Sequence, residues 1–259
     1  MDLLERETVL QDLAGHLTAA TSGPGRVALV RGEAGIGKTT VVEHLVELAD
    51  PYVRVLVGAC DPLATPRPLG PLMDLAPDLG EAVGTALRGA VAGAGHPGEV
   101  FECLLADLSG RPSLLVIEDV HWADEATTDL LSYLARRLPT VPALVVATYR
   151  DDEIGRTHPL TMLLGTLAGY RWVSRHTLNP LSRGAVARLA TGHAIDVEDL
   201  YRVSAGNPFL VTEILATPAG SLPVTVREAV AGRMGGLSGP ARNITDVLAV
   251  LGHRAHCSL

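Results

Sequence analysis

The sequence predicts an α/β fold, in which a parallel β-sheet is sandwiched by helices and followed by an all-helical lid region. Short, continuous apolar runs alternate with helical patterns up to residue 181, and only helical patterns follow. Such runs are typical of strands buried on both faces of a parallel sheet. Hydrophobic residues make up 47% of the chain, enough for a buried core. We therefore predict a core at 1–181 and a second, helical region at 182–259.

The predicted strands are four apolar runs and one weaker segment, in the order 27–30, 53–57, 114–117, 143–147 and 171–178. The intervening helices are predicted at 2–19, 38–49 and 124–138, with further helical pattern across 62–111. Strands that alternate with helices favour parallel pairing, because each crossover returns the chain to the same end of the sheet.

Composition narrows the classes of function. The formal net charge of −8 disfavours direct binding to nucleic acid, because an acidic surface repels a phosphate backbone. No apolar run is long enough to span a bilayer, and the first residues do not resemble a signal peptide. The three cysteines are an odd number without a CxxC spacing, which favours free thiols. Together these observations predict a cytoplasmic protein without membrane contact.

Residues 32–39, Gly-Glu-Ala-Gly-Ile-Gly-Lys-Thr, match G-x-x-x-x-G-K-[ST], the phosphate-binding P-loop. The motif directly follows a predicted strand and opens a predicted helix, which is the context that its chemistry requires. The helix N-terminus and the backbone N–H groups face the phosphates. The predicted nucleotide contacts are Gly32, Gly35, Ile36, Gly37, Lys38, Thr39 and Thr40. These residues predict ATP or ADP as the ligand, together with Mg²⁺.

Lys38 is the only lysine in the sequence, among 21 lysines and arginines in total. A compact ammonium on a flexible stem suits a phosphate cradle, whereas a planar guanidinium does not. We predict that Lys38 places its charge at the β- and γ-phosphates and contributes to catalysis. Thr39 would offer its hydroxyl to Mg²⁺.

Two acids, Glu118 and Asp119, end the apolar run at 114–117. Ligands of open α/β sheets bind at the carboxyl ends of the strands, so these acids are predicted to reach the metal and the attacking water. The usual order in such segments is Asp first. The reversed order here leaves open which of the two holds Mg²⁺ and which polarises water.

Residues 114–127, LLVIEDVHWADEAT, resemble the Walker B segment of STAND-class signal-transduction ATPases. The resemblance is to the AAA-type module of large bacterial LuxR-type, MalT-like transcriptional regulators. Residues 144–151, LVVATYRD, are similar to the family's arginine sensor strand, and residues 204–211, SAGNPFLV, to its Gly-x-Pro motif. Residues 222–233 are similar to the segment that leads into its next helical or winged-helix module.

The resemblance implies that Arg150 senses the γ-phosphate and that Pro208 packs near the adenine. From the residues alone, Arg150 could equally be a solvated charge at a strand end. Gly206, Asn207 and Pro208 also fit plain helix punctuation, in which Gly206 ends one helix, Asn207 caps the next and Pro208 takes its first position. Asp124 fits the N-cap of the helix after the Walker B segment.

The resemblance implies an ATP-binding, slowly hydrolysing switch domain of a signal-transduction or transcriptional regulator. Two alternatives stay open: a nucleotide-binding interaction module without turnover, and a P-loop kinase. Relatives of this type continue into a helical sensor region and a DNA-binding helix-turn-helix, so we expect residues 182–259 to be a lid and the start of a truncated module. Beyond nucleotide, the partners to be considered are a second copy of the chain and a regulatory protein.

Overall fold

The computed structural model describes residues 3–155, 158–217, 227, 231, 234 and 239–251. The chain divides into two compact units, residues 1–180 and residues 181–259. Across the described ranges, no helix is both long enough and apolar enough to cross a membrane.

The first unit is built on a parallel sheet. Its strands are β1 (Arg26–Arg31), β2 (Arg54–Ala59), β3 (Ser113–Glu118), β4 (Ala143–Tyr149) and β5 (Val173–Thr177). Their order across the sheet is β2-β3-β4-β1-β5, and every neighbouring pair is parallel. The parallel sheet that the sequence predicts is thus confirmed. Strand β4 lies between β1 and β3, so the carboxyl ends of these three strands meet at one edge.

The helices of the first unit are α1 (Glu7–Ser22), α2 (Lys38–Glu47), α3 (Gly70–Leu75), α4 (Glu81–Val91), α5 (Pro97–Ser109), α6 (Glu125–Arg137) and α7 (Pro159–Leu167). The first predicted helix was placed too early, at residue 2. Glu5 has a φ of 57°, which a right-handed helix excludes, and α1 begins only after Arg6. The apolar spacing that suggested a longer helix therefore includes a turn.

Helices pack on both faces of the sheet because alternate strand side chains belong to two separate apolar clusters. Val27 and Leu29 of β1 belong to the cluster that includes residues of α3 to α7. Ala28 and Val30 belong to the other cluster, together with residues of α1 and α2. This alternation follows from the pleat of a strand, which turns successive side chains to opposite faces. The predicted sandwich of helices around the sheet is confirmed.

The second unit contains helices α8 (Arg183–Leu189), α9 (Val197–Ser204), α10 (Pro208–Ala216) and α11 (Gly239–Leu251). Gly206, with a φ of 76°, follows α9. Asn207 caps α10 by accepting hydrogen bonds from the backbone N–H groups of Phe209 and Leu210, and Pro208 takes the first turn. The predicted roles of Asn207 and Pro208 are confirmed, whereas α9 ends at the left-handed Ala205, with φ 49°, one residue before the predicted Gly206. Residues 222–233 lie outside the described part of the chain, apart from 227 and 231.

Candidate functional site

The loop between β1 and α2 turns through three glycines with positive φ. Gly32, Gly35 and Gly37 have φ values of 153°, 74° and 97°. A Cβ at Gly32 would come within 2.9 Å of both Ile36 Cγ2 and the carbonyl oxygen of Leu178. A Cβ at Gly37 would meet nothing within 4 Å, so only the backbone conformation requires glycine there. The space above Gly37 is open at the point where α2 begins.

Helix α2 begins directly above this loop. Its N-cap is Gly37, which has no side chain to satisfy the first N–H groups of the helix. Unpaired N–H groups and the positive end of the helix dipole together attract anions. The start of α2 is therefore suited to phosphate.

The ammonium of Lys38 folds back over the loop. Nζ donates hydrogen bonds to the carbonyl oxygens of Gly32, at 2.8 Å, and Glu33, at 3.0 Å. The residue is 7% exposed. Burial lowers the pKa of Lys38, while the nearby carboxylate of Asp119 works in the opposite direction. An anion at this position would relieve the cost of burying the charge.

Thr39, the next residue of α2, contacts the end of β3. Its Oγ1 donates a 2.6 Å hydrogen bond to Oε2 of Glu118. Burial raises the pKa of Glu118 and the charge of Asp119 adds to this rise, whereas the hydrogen bond from Thr39 opposes it. The structure thus brings together two of the three predicted metal ligands.

Asp119, the third, faces another partner. Its backbone is left-handed, with φ 55° and ψ 43°, and its N–H donates to Oγ1 of the fully buried Thr148 at 3.0 Å. Its carboxylate oxygen Oδ1 lies 3.8 Å from Nδ1 of His121. The tight turn therefore directs the two adjacent acids to different neighbours.

Arg150 follows β4 and lies in a cluster of side chains. Its Nη1 donates to Oε1 of Glu153 at 2.6 Å, and its guanidinium carbon lies 4.7 Å from the centre of the Trp122 ring. Its backbone N–H lies 3.4 Å from Nδ1 of His121. The Arg150 side chain is 25% exposed, so it is held by contacts rather than fully solvated.

Magnesium bound with a nucleotide needs few protein ligands, because phosphates and water complete its octahedron. Within the part of the chain that the structure describes, no group of three or more His, Cys, Asp or Glu residues could hold a metal alone. The hydroxyl of Thr39 and the carboxylate of Glu118 lie side by side, which fits a Mg²⁺ ion that is bound together with a nucleotide and needs few protein ligands. The oxygen chemistry of this pair suits Mg²⁺ and not a soft metal.

Sequence reasoning missed Arg6 and Glu153. The Arg6 side chain is nearly buried and donates to the carbonyl oxygens of Ile36, at 3.2 Å, and Asn179, at 2.7 Å. It thereby supports the P-loop from behind. A lone arginine near the start of an amphipathic pattern gives no signal for this role. Glu153 gives no sequence signal either, because its contact with Arg150 depends on a turn after β4.

Two further predicted residues have local roles. Asp124 caps α6, as the sequence suggested, by accepting from the N–H groups of Ala126 and Thr127. It also accepts from the N–H of Leu69, which links α6 to the start of α3. Pro208 lies in the second unit, at the start of α10, and its role beside an adenine stays a prediction.

Residues 2–146 match the family model of the AAA ATPase domain. That range includes the P-loop, both acids and most of β4. An uncharacterised protein of Rhizobium meliloti (strain 1021) is 24% identical over 304 residues, covering 96% of this chain and 30% of the relative. The chain thus spans less than a third of that relative's length.

The Walker-type ATPase of Pyrococcus abyssi is a solved structure with the same architecture, with a TM-score of 0.58 and 15% identity over 98% of this chain and 86% of that one. A signal-transduction ATPase with numerous domains and a tetratricopeptide repeat sensor, from Pyrococcus horikoshii, matches with a TM-score of 0.46 and 18% identity over 90% of this chain and 33% of that one. The first similarity supports the predicted P-loop ATPase fold.

Proposed function

This chain belongs to the AAA ATPase domain family, and on that basis we propose that it binds ATP with Mg²⁺ and hydrolyses it slowly, as the switch domain of a signal-transduction or transcriptional regulator. The observation that carries the proposal is the contact between Thr39 and Glu118. It joins the phosphate-binding loop to the acidic strand end while the buried Lys38 covers the loop.

The roles follow from the geometry. Lys38 and the first N–H groups of α2 would bind the β- and γ-phosphates, with the backbone of the loop from Gly32 to Thr40 around them. Thr39 and Glu118 would hold Mg²⁺, which neutralises phosphate charge when bound. Asp119 would then be the acid that polarises the attacking water. This assignment follows from which acid faces Thr39.

Two finer proposals rest on the resemblance. Arg150 would contact the γ-phosphate and Pro208 the adenine, with residues 1–180 as the ATPase core and the helical unit as a lid. The segments 114–127 and 144–151 support a LuxR-type, MalT-like regulator in particular. A second copy of the chain or a regulatory protein would receive the signal. The net charge of −8 argues against direct binding of nucleic acid by this chain.

The second candidate is a nucleotide-binding interaction module without turnover. The position of Asp119 favours it, because its carboxylate lies 3.8 Å from His121 in a left-handed turn, while Thr39 donates its hydrogen bond to Glu118 instead. An acid that is not bonded to Thr39 would be a less effective base for a water bound there.

The decisive experiment identifies the nucleotide that copurifies with the chain and compares wild type with Lys38→Ala. Arg67→Ala, an exposed position in a surface ion pair, is the control. We expect ADP or ATP in the wild type and the control, and none in Lys38→Ala. Phosphate release that requires Mg²⁺ and is lost in Asp119→Asn would support the ATPase, whereas tight binding without release would support the second candidate.

The switch itself needs a separate measurement. Limited proteolysis with ADP and with a slowly hydrolysed ATP analogue should give different cleavage patterns, because the γ-phosphate changes which segments are ordered. Identical patterns would argue against a switch. A wild-type chain that neither retains nor takes up nucleotide would overturn the whole proposal.

A further inference from the structure

The loop after β4 pairs Arg150 with Glu153. The 2.6 Å contact between Nη1 and Oε1 is a charge-assisted hydrogen bond across three residues. Residues 151–153 form a bend and a turn and residues 154–155 are irregular, so the regular spacing of a helix does not impose this pairing. Burial by itself would raise the pKa of Glu153, but the hydrogen bond and charge of Arg150, together with His121 and a hydrogen bond from Trp122, lower it.

Trp122 supplies a second restraint on the same guanidinium. The guanidinium carbon lies 4.7 Å from the ring centre, and the Trp122 ring lies 4.4 Å from the ring of His121. Contact with an aromatic face restricts where the guanidinium can lie. The hydrogen bond to Glu153 then limits its rotation, so two contacts together fix a side chain that is otherwise long and flexible.

His121 lies beside Glu153. Its Nδ1 faces the backbone N–H of Arg150 at 3.4 Å, which places the ring proton of the neutral form on Nε2. Nε2 is buried and lies 3.5 Å from Oε2 of Glu153. One carboxylate oxygen of Glu153 therefore binds Arg150 while the other faces His121.

The cluster lies next to the candidate phosphate site. His121 approaches Asp119, the neighbour of Glu118. Arg150 follows β4, which lies beside the P-loop strand β1 in the sheet. Burial lowers the pKa of Lys38, the charge of Asp119 raises it and the charge of Arg150 lowers it, so an anion near both cations would be favoured. Arginine has five N–H donors, and the contact with Glu153 is made through Nη1.

We propose that Glu153 is a positioning residue, which orients Arg150 so that the chain distinguishes nucleotides with a γ-phosphate from those without one. This proposal rests on the proposed function, because it requires a nucleotide at the P-loop. Glu153 touches no substrate atom in this scheme. It acts through Arg150, with Trp122 and His121 completing the support.

The test is the ratio of the dissociation constants for ADP and for the analogue ATPγS, each measured with Mg²⁺ on the full chain by calorimetry. The variants are Arg150→Ala, Glu153→Gln, Glu153→Ala and the double variant Arg150→Ala/Glu153→Ala. Asp199→Asn is the matched control, because Arg202 and Asp199 form a pair with the same spacing and a 2.7 Å contact in α9. Thermal melting checks that every variant is folded.

We expect a wild-type ratio well above one. Glu153→Ala should lower the ratio about 5- to 10-fold, less than the loss of a whole charge-assisted hydrogen bond because Arg150 remains, while the affinity for ADP changes less than about twofold. Glu153→Gln keeps the shape and an acceptor oxygen, so it should fall between wild type and Glu153→Ala. Loss of Glu153 should add nothing once Arg150 is absent, and Asp199→Asn should match wild type.

The inference alone is overturned if wild type discriminates and both Glu153 variants keep its ratio. It is also overturned if the ratio rises, which would make Glu153 a competitor of the γ-phosphate, or if Glu153→Ala still acts without Arg150. A wild type that binds both nucleotides equally overturns the γ-phosphate switch and this inference together. A wild type that binds neither overturns nucleotide binding itself, so the failures are distinguishable.

Discussion

The hydroxyl of Thr39 donates to Glu118 across 2.6 Å, which joins the first turn of α2 to the carboxyl end of β3. In the sheet, β3 is separated from the P-loop strand β1 by β4. The contact is possible because parallel strands end at the same edge, and α2 starts there. It leaves the Glu118 carboxylate partly buried with a hydroxyl and an acidic neighbour.

That burial predicts an effect of pH on stability. Burial raises the pKa of Glu118 above its ordinary value of 4.5, so the carboxyl resists ionisation more in the native state than in the unfolded state. Between the two pKa values the native state binds more protons, and stability falls as pH rises. Glu118→Gln should therefore melt at a higher temperature than wild type at pH 8, without Mg²⁺ or nucleotide, and the difference should vanish below pH 4.5.

Glu47→Gln, an exposed position at the end of helix α2, controls for the change in net charge. Melting curves across this pH range would contradict the prediction if Glu118→Gln were less stable than wild type at pH 8. A difference that did not depend on pH would contradict it as well.

Substitution of Lys38 should weaken nucleotide binding but leave the stability of the fold almost unchanged. Lys38→Met keeps the length of the side chain and removes a charge whose burial is costly, so the melting temperature without nucleotide should stay close to that of wild type. The affinity for ADP should fall about 100-fold, as expected for lost hydrogen bonds to a charged ligand.

Lys38→Arg should also lose affinity for ADP. A planar guanidinium cannot place its donors at the Gly32 and Glu33 carbonyls as the compact ammonium of Lys38 does. Calorimetry showing wild-type affinity in Lys38→Arg would refute this.

The fold and the P-loop were predictable because their signals are local. The apolar run of β3 is recognisable in sequence because its residues are buried on both faces, and Gly37 and Lys38 are recognisable by spacing alone. The helix caps Asp124 and Asn207 follow from the same kind of local chemistry.

The contacts among side chains were not predictable, because they depend on which strand ends are neighbours and on the turns that follow. The turn at Asp119 separates it from Glu118, and the turn after β4 brings Glu153 back to Arg150. Neither turn has a glycine or proline at these positions, so the sequence gives no sign of them. The start of α1 was misplaced for a related reason, since the unusual φ of Glu5 leaves no mark in the apolar pattern.

Arg6 should matter for both stability and nucleotide binding. Arg6→Ala removes the donors of three hydrogen bonds, including one to Ile36 within the P-loop, at a nearly buried position. We expect a loss of about 2–3 kcal/mol in the free energy of unfolding and weaker binding of ADP, because the loop loses its support. Urea titration of Arg6→Ala beside the exposed variant Arg67→Ala measures the first effect, and calorimetry the second. A variant with the stability and affinity of wild type would show that the contact is dispensable.

The left-handed backbone of Asp119 should lower the free energy of unfolding, and replacement by glycine should raise it. With φ 55° and ψ 43°, the residue occupies a region that costs a residue with a Cβ about 1–2 kcal/mol and costs glycine almost nothing. Asp119→Gly, Asp119→Asn and Asp119→Ala all remove the carboxylate, so differences among them report the backbone rather than the charge. Asparagine tolerates the left-handed region better than alanine. Urea midpoints should therefore follow the order Gly, Asn, Ala, with about 1 kcal/mol between Gly and Ala. An Ala variant as stable as the Gly variant would mean that the turn relaxes freely, and the separation of Glu118 from Asp119 would then not be fixed by the backbone.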